Sequence, residues 1–470
     1  MTTIKMHSAV LCAVVAVALS SFVLAGCGTG SKPADEATKG EAITVWTADT
    51  LPDRVAATQV IIGKFTAATG IKVKLVGVAE DQFNQVLISA LAADDLPDVF
   101  GDVSLPQVRA LAANDLVDTT AAAAVIKDLG KDTFSERALE MTQDLDKQLA
   151  VPSTWWPQLL FYRTDLFAAA GLAAPKTYDD ILADAKALNS PEVAGFVGAT
   201  TAGDAFTQQT FEHIALADNC QMVDDSGKVT LDSPECVSAL DFYGDLIKNY
   251  STVGAQDVET TRASYFAGKA AMMIWSSYIL DEMVGLRKDT MPTCPECVAD
   301  PAFVAKNTGM VSAIQGPDSD KPAMFGEIGS WVIAAGGATD SAQKFVQYMS
   351  SDGYLDWIGF APEGKIPVRQ GTPENPTEFA DAWMTLPVGV DTKAPLADFY
   401  SAKVLKGLQG GLNDVSRWGI TQGQGALIGA SYGELPMAQA VSEVTSGEAD
   451  AKAAAKEAAD ATISIQDSLQ

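Results

Sequence analysis

The side chains with the most evident chemical use in this sequence are its eight tryptophans and a few carboxylates placed just past strand-like runs. An indole offers a flat apolar plate, and an ionised carboxylate accepts hydrogen bonds at roughly twice the strength of a neutral acceptor. Together they suit a ring with an apolar C–H face and a rim of hydroxyls. Trp155 and Trp156 stand together in a segment bounded by Pro152 and Pro157. In a strand, neighbours point to opposite sides, so one of the pair meets a ligand while the other packs. Trp46 lies near the end of the alternating run from Ile43, and Trp275 and Tyr278 lie where the apolar run from Met272 turns polar. The matching acids are Asp49 after the first strand, Asp102 after Leu96-Pro97-Asp98-Val99-Phe100, and Glu327. Asp98 reads as part of a strand end, Arg369 as a carboxylate-orienting group or a surface ion pair, and Trp357 and Trp383 as packing residues.

Other chemistries are excluded or weakened by composition. With 60 Asp and Glu against 32 Lys and Arg, the chain carries 28 net negative charges, which opposes any phosphate backbone as partner. Its two histidines are His7 and His213; the first sits in the N-terminal apolar segment and the second in a helical stretch, Phe211 to Leu216, where it reads as structural. A clustered-histidine metal site is arithmetically impossible. The glycine-rich stretches Gly407–Gly411 and Gly419–Gly425 lack the Lys-Ser/Thr of a phosphate loop. No cofactor and no metal are expected.

The N-terminus has the features of an export signal. Lys5 precedes an uncharged run from Ala9 to Ala25, about 17 residues or roughly 25 Å of helix, which is short for a ~30 Å hydrocarbon core. Leu24-Ala25-Gly26-Cys27 resembles the bacterial lipoprotein signal. The resemblance implies a signal peptide over 1–26, diacylglycerol on the Cys27 sulfur, and a flexible tether over 27–42 holding the body at the extracytoplasmic face of the cell membrane. Besides Cys12 and Cys27, four cysteines remain. Val223 to Leu231 reads as a hairpin turning at Asp225-Ser226-Gly227, which brings Cys220 to Cys236 and leaves Cys294 with Cys297. A zinc ion on all four thiolates, or a redox role for Cys294-Pro295-Glu296-Cys297, is the sharper alternative.

The elements that position these residues alternate between strand and helix. Ile43 to Thr47 and Ile71 to Val76 alternate as strands. Arg54 to Thr69 is a helix closed by Gly70, and Phe83, Val86, Leu87, Ala90 and Leu91 mark one face of another. Leu96 to Phe100 is a third strand, and the three β–α units argue for a parallel α/β sheet. Thr164 caps a helix closed by Gly171, Thr177 caps one with Asp180 at the capping-box position, and Ser233-Pro234-Glu235 opens a third. Ala451, Ala454, Ala455, Ala458 and Ala459 place a small-residue face on a C-terminal helix.

Phe65-Thr66-Ala67-Ala68-Thr69-Gly70-Ile71-Lys72-Val73, Leu96 to Val99, Leu160 to Asp180, Tyr265 to Ile274 and Gly364 to Arg369 resemble, in order, the blocks of the family 1 extracellular solute-binding proteins. These are the sugar-capturing receptors of bacterial ABC importers, related to maltose-binding protein. The resemblance implies an α/β, two-lobed type II clamshell with three interlobe crossings, near Pro152–Pro157, Ser312–Pro317 and Ala361–Val368. One lobe then holds 43–153 and 316–362, the other 158–312 and 368–470. It also points to Trp331 and Trp418 as ligand contacts, and to a monomeric, non-enzymatic receptor that delivers a mono- or oligosaccharide to ABC permease subunits. The acidic charge motivates an alternative cargo, a polyamine or basic peptide. A secreted glycoside hydrolase would need paired carboxylates about 5–10 Å apart, for which no signature stands out.

Overall fold

A computed structural model describes residues 41–469; the expected signal peptide and the lipidation expected at Cys27 lie outside the described residues. Strand β1 (Ile43–Thr47) pairs in parallel with β2 (Val73–Gly77) on one side and β3 (Val99–Val103) on the other. Between them run α1 (Pro52–Thr69) and α2 (Phe83–Ala93), and α3 (Leu105–Ala113) follows β3. Pro52 sits in the first turn of α1, where its missing N–H costs nothing, and Gly70 ends the helix at φ 75°. Strand β3 starts three residues later than the apolar run suggests. The carboxylate of Asp98 instead ties the strand end down, accepting from the backbone N–H of Thr44 and Ala338 at 2.8 Å each.

The sheet is organised by one long strand, β4 (Val151–Arg163), which spans both halves of the fold. Helices α4 (Tyr178–Leu188), α5 (Ala205–Ala217) and α6 (Pro234–Tyr250) follow it, then β5 (Met272–Ser276), β6 (Thr308–Val311), β7 (Met324–Ile333), β8 (Ile366–Pro367) and β9 (Val415–Ser416). Residues 151–157 of β4 pair antiparallel with β7, and Thr154 and Trp155 also with β8; residues 158–163 pair with β5 and β6. The result is a mixed nine-stranded sheet of order β8-β4-β7-β3-β1-β2, with β5 and β6 joined to β4 and β9 to β7. Its parallel part is limited to the N-terminal units and the β7–β9 pair; every strand next to β4 is antiparallel.

Pro152–Pro157 lies within β4, at the first passage. The segments expected to make the second and third passages are a stretch of isolated bridges around Ile314 and Gln315 and the two-residue strand β8. Gln315 bridges Thr177 and Ile314 bridges Ala323, so that segment stays beside α4, and β7 is the strand that runs back to β3. Residues from Ala342 to Val415 share a core with Ile43, Val45 and Phe65, whereas Trp418 onward joins the core of Phe167, Phe211 and Leu240. The first of these cores also takes in Tyr265, Met273 and Trp275, so it extends through both halves of the fold. Strands β8 and β9 have only two ladder residues each, too few for an alternation to show in the sequence. The chain ends in α7 (Gly425–Glu434), α8 (Pro436–Ser446) and α9 (Ala451–Ser468), the last burying its alanine face.

Helix caps follow the sequence with one exception. Thr177 and Asp180 form a capping box and Ser233 accepts from Cys236 N–H, but Thr164 is the first helical residue of its helix rather than the cap. Disulfides join Cys220 to Cys236 and Cys294 to Cys297, so no thiolate is left for zinc among them. The hairpin between the first pair bridges Val223 to Val229, with the Asp224 carboxylate accepting from the N–H groups of Ser226 and Lys228.

A crosslink constrains the unfolded chain more the longer its loop. Closing a separation of 16 is worth about 3 kcal/mol, and a separation of 3 about half that. Paired Cys→Ser variants should therefore lower the urea midpoint unequally, Cys220/Cys236 more; equal losses would refute this chain-entropy account.

Candidate functional site

A cavity of about 700 Å³ opens between the two halves of the fold. Of the residues singled out by sequence, Asp49, Asp102, Trp156, Trp275, Tyr278 and Glu327 line it. Trp46, Trp155, Trp331 and Trp418 do not. Strand geometry separates them. On β4, Trp156 faces the cavity beside Tyr278 and Phe325, with ring centroids 6.2 and 5.9 Å away. Its neighbour Trp155 points the opposite way, is wholly buried, and packs against Val415 and the Gly326 and Gly411 backbones. Trp46 meets Phe100 edge-on in the core under β1. Trp331 sits over Gly101, whose hydrogen leaves room for the indole, and against Phe345 and Trp357. Trp418 donates its indole N–H to Cys220 O at 2.8 Å and packs on Phe211.

The acids are held by buried cations. Lys365, with no exposed surface, places Nζ 2.7 Å from Asp49 and 2.5 Å from Asp102, with the ring of Trp357 3.9 Å beneath it. Arg54 pairs with Asp49 at 3.1 Å and lies over the Tyr278 ring. Burial alone would raise Asp49, but Lys365 and Arg54 override it and hold the carboxyl well below the usual range. Asp102 has the weaker share. Burial, together with the charge of Asp49, outweighs Lys365 and pushes it up to about 6. Its position is itself unusual: φ is 57°, at a register shift between β3 and β7 that re-aims the side chain toward Lys365. Across the ladder Gly329 is required, because a Cβ there would fall 2.3 Å from Asp102 Oδ1.

Glu327 is fully occupied. Oε1 accepts from the N–H of Leu105, at the start of α3, and of Ile328, while Oε2 takes Arg417 at 2.6 Å. Arg417 also holds Glu212 at 2.9 Å. Thus Glu327 shapes the wall and has little accepting capacity left for a ligand. Groups that the sequence did not single out complete the site: Glu80, Asp81, Ser104, Gln107, Asp204, Phe206, Gln209 and Tyr432. Gln209 donates to the Tyr432 hydroxyl, which donates to Glu80 at 3.0 Å, so a polar chain crosses the cleft. Gln107 Nε2 and Ser104 Oγ are buried without any partner. Only Lys365 left a sequence signal, a lysine inside the apolar block Gly364 to Val368. The others sit in short loops, at helix starts or, for Gln209 and Tyr432, farther along helices, where a polar residue is ordinary.

Arg369 is neither a ligand group nor a surface pair: it is buried, donating to the carbonyls of Ser350 and Leu129 and to Thr133 Oγ1. His213 is also buried, accepts from Phe325 N–H through Nδ1, and is kept neutral by burial, which pushes its pKa down to about 4. Among the described residues no group of three or more His, Cys, Asp or Glu is disposed to hold a metal ion.

The family model for the bacterial extracellular solute-binding protein matches residues 48–355. The Escherichia coli K12 protein YcjN, named as an ABC transporter periplasmic-binding protein, is 31% identical over 326 residues, 68% of this chain and 71% of its own. Among solved structures, the GacH receptor of Streptomyces glaucescens, determined unliganded and with acarbose, superposes with a TM-score of 0.69 at 19% identity, covering 91% of this chain and 98% of that one. A sugar transporter protein of Arthrobacter chlorophenolicus with bound laminaribiose gives 0.68 at 19%, covering 90% and 99%. A solute-binding protein of Agrobacterium radiobacter in complex with ribitol gives 0.66 at 20%, covering 92% and 99%. At these identities the structural likeness establishes the fold, a type II, two-lobed periplasmic-binding architecture.

Glu80 opens onto the cavity, yet the surrounding protein, followed by the charge of Glu327, pushes its carboxyl up to about 7, against the Tyr432 hydrogen bond. A raised acid keeps its proton in the fold after the unfolded chain has lost it. Its stabilising contribution is therefore complete below about pH 4.5 and is lost as pH rises toward 7. Ligand-free Glu80→Gln should melt above the parent at pH 8, with the gap closing by pH 4.5; a pH-independent gap would contradict this.

Proposed function

Because the chain belongs to the bacterial extracellular solute-binding protein family, whose members serve ABC transporters, we propose that it captures a mono- or oligosaccharide between its lobes and passes it to an ABC permease. The observation that carries this reading is the placement of Trp156. It projects from the strand shared by both halves into a cavity of about 700 Å³, with Phe206, Trp275 and Tyr278 as further plates. That volume falls in the range of roughly 300–1,000 Å³ typical of small-molecule sites. Carboxylates and the Gln107 Nε2 donor, whose amide oxygen is already taken by Ser104 N–H, supply the edge contacts that hydroxyls need. The sugars and polyol bound by the three structural relatives are consistent with this chemistry.

A linear polyamine or a basic peptide uses the acids but not the flat plates. It also brings no acceptor for Gln107 Nε2 where only ammonium groups reach it. A hydrolytic role is disfavoured by the same geometry. Asp49 and Asp102 grip one ammonium and so lie side by side in one part of the cavity wall, rather than flanking a glycosidic bond on opposite faces. Sugars recovered unchanged after long incubation would agree with a receptor. The lipoprotein-like signal supports tethering through Cys27, with the body at the outer face of the membrane. In the producing cell, Cys27→Ser should move the protein from the membrane fraction to the medium; retention in the membrane would count against the anchor.

Trp156→Ala removes the central plate and should weaken saccharide binding by about 30-fold, equivalent to about 2 kcal/mol. Trp155→Ala, one residue away but on the packed face, should chiefly lower the melting temperature through cavity formation. Calorimetric titration with a sugar that shifts the melting temperature checks both. Unchanged affinity in Trp156→Ala would refute the proposed binding mode.

A further inference from the structure

The charges around the cavity do not balance. Six carboxylates line it, and Arg54 is the basic residue among its described lining. Arg54 is committed to Asp49, Lys365 to Asp49 and Asp102, and Arg417 to Glu212 and Glu327. Glu80, Asp81 and Asp204 have no ion-pair partner among the described residues. They come from opposite sides of the cleft. Glu80 and Asp81 belong to the turn before α2, and Asp204 is the N-cap of α5, accepting from Phe206 N–H at 3.0 Å. Burial, together with the charges of Asp257 and Asp81, pushes the Asp204 carboxyl up.

We propose that the ligand is an amine-bearing saccharide or cyclitol, with its ammonium seated between Glu80–Asp81 on one side and Asp204 on the other. This rests on the saccharide reading and narrows it. Three features favour a cation carried by a hydroxylated ring. Among the described residues the acids are not gathered closely enough to hold a bare metal ion. Gln107 lines the same cavity with its Nε2 buried and unpartnered, a donor that needs an acceptor, which a hydroxyl has and an ammonium lacks. Phe206 and Trp275, 5.6 Å apart, adjoin Asp204 in the cavity wall and supply faces that attract both a ring and a cation. An ammonium also removes the repulsion between the two acidic sides that would otherwise oppose their approach.

The test is calorimetric titration of the folded, unlipidated chain at low salt with matched pairs that differ only at nitrogen: glucose and glucosamine, cellobiose and fully deacetylated chitobiose, with spermidine as the ring-free cation. The amino member of a pair should bind about five- to tenfold more tightly than its neutral partner, since a charge-assisted bond replaces a neutral one. Added salt should erode that advantage. Asp81→Asn with Asp204→Asn should bring the ratio toward one, as read on the same pairs. Neutral sugars binding as tightly as their amino partners would overturn the inference and leave the saccharide reading standing. Binding of spermidine with no saccharide of either kind would overturn both. A preference unaffected by the two substitutions would overturn the proposed seat.

Discussion

A strand that serves two halves of a sheet cannot choose its side-chain faces twice. β4 pairs with β7 and β8 through residues 151–157, with a register shift at Ser153, and with β5 and β6 through the rest, so one alternation runs from Thr154 to Arg163. A shift of one residue would exchange every buried and cavity-facing side chain together. That single phase puts Trp156 on the cavity and Trp155 in the core. It also sets Trp156 opposite Glu327 in the ladder, with Trp155 opposite Ile328. The aromatic plate and the acid wall are thus consequences of one pairing register.

Around that register, two buried cations organise the polar groups. Lys365 gathers Asp49, from the end of the β1 unit, and Asp102, from the shifted part of β3. Arg417 gathers Glu212, from α5, and Glu327, from β7, while stacking on Phe325. Removing either partner of such a cluster leaves an uncompensated buried charge, which costs more than the pair itself contributes. The clusters therefore tie segments far apart in sequence to one geometry, and they do so at the cavity wall. What remains free toward the cavity is a different set: neutral donors, aromatic faces, and three acids without basic partners.

Function follows from that division. Where a wall's carboxylates are all satisfied internally, a ligand meets shape and polarity; where they are not, it meets charge. The cleft has both kinds of surface. Trp156, Trp275 and Tyr278 form the apolar side, and Glu80 with Tyr432 and Gln209 forms a polar link between the halves. Such an arrangement offers a ring both faces and an edge, which suits the receptor role proposed above.

Much of this was legible in the residues alone. The β–α alternation, the glycine ends of helices, the hairpin between Cys220 and Cys236, and the ordered family blocks depend on local periodicity and turn chemistry. These act within a few residues and so appear in the sequence. Tertiary structure decided which of equally aromatic residues face the cavity, because Trp46, Trp155, Trp331 and Trp418 differ from Trp156 and Trp275 only in strand phase and distant partners. It also decided the bulge that turns Asp102 and the pairing of Lys365 with two acids more than 250 positions away. Such facts arise from long-range packing and from charges meeting in space, and no local pattern carries them.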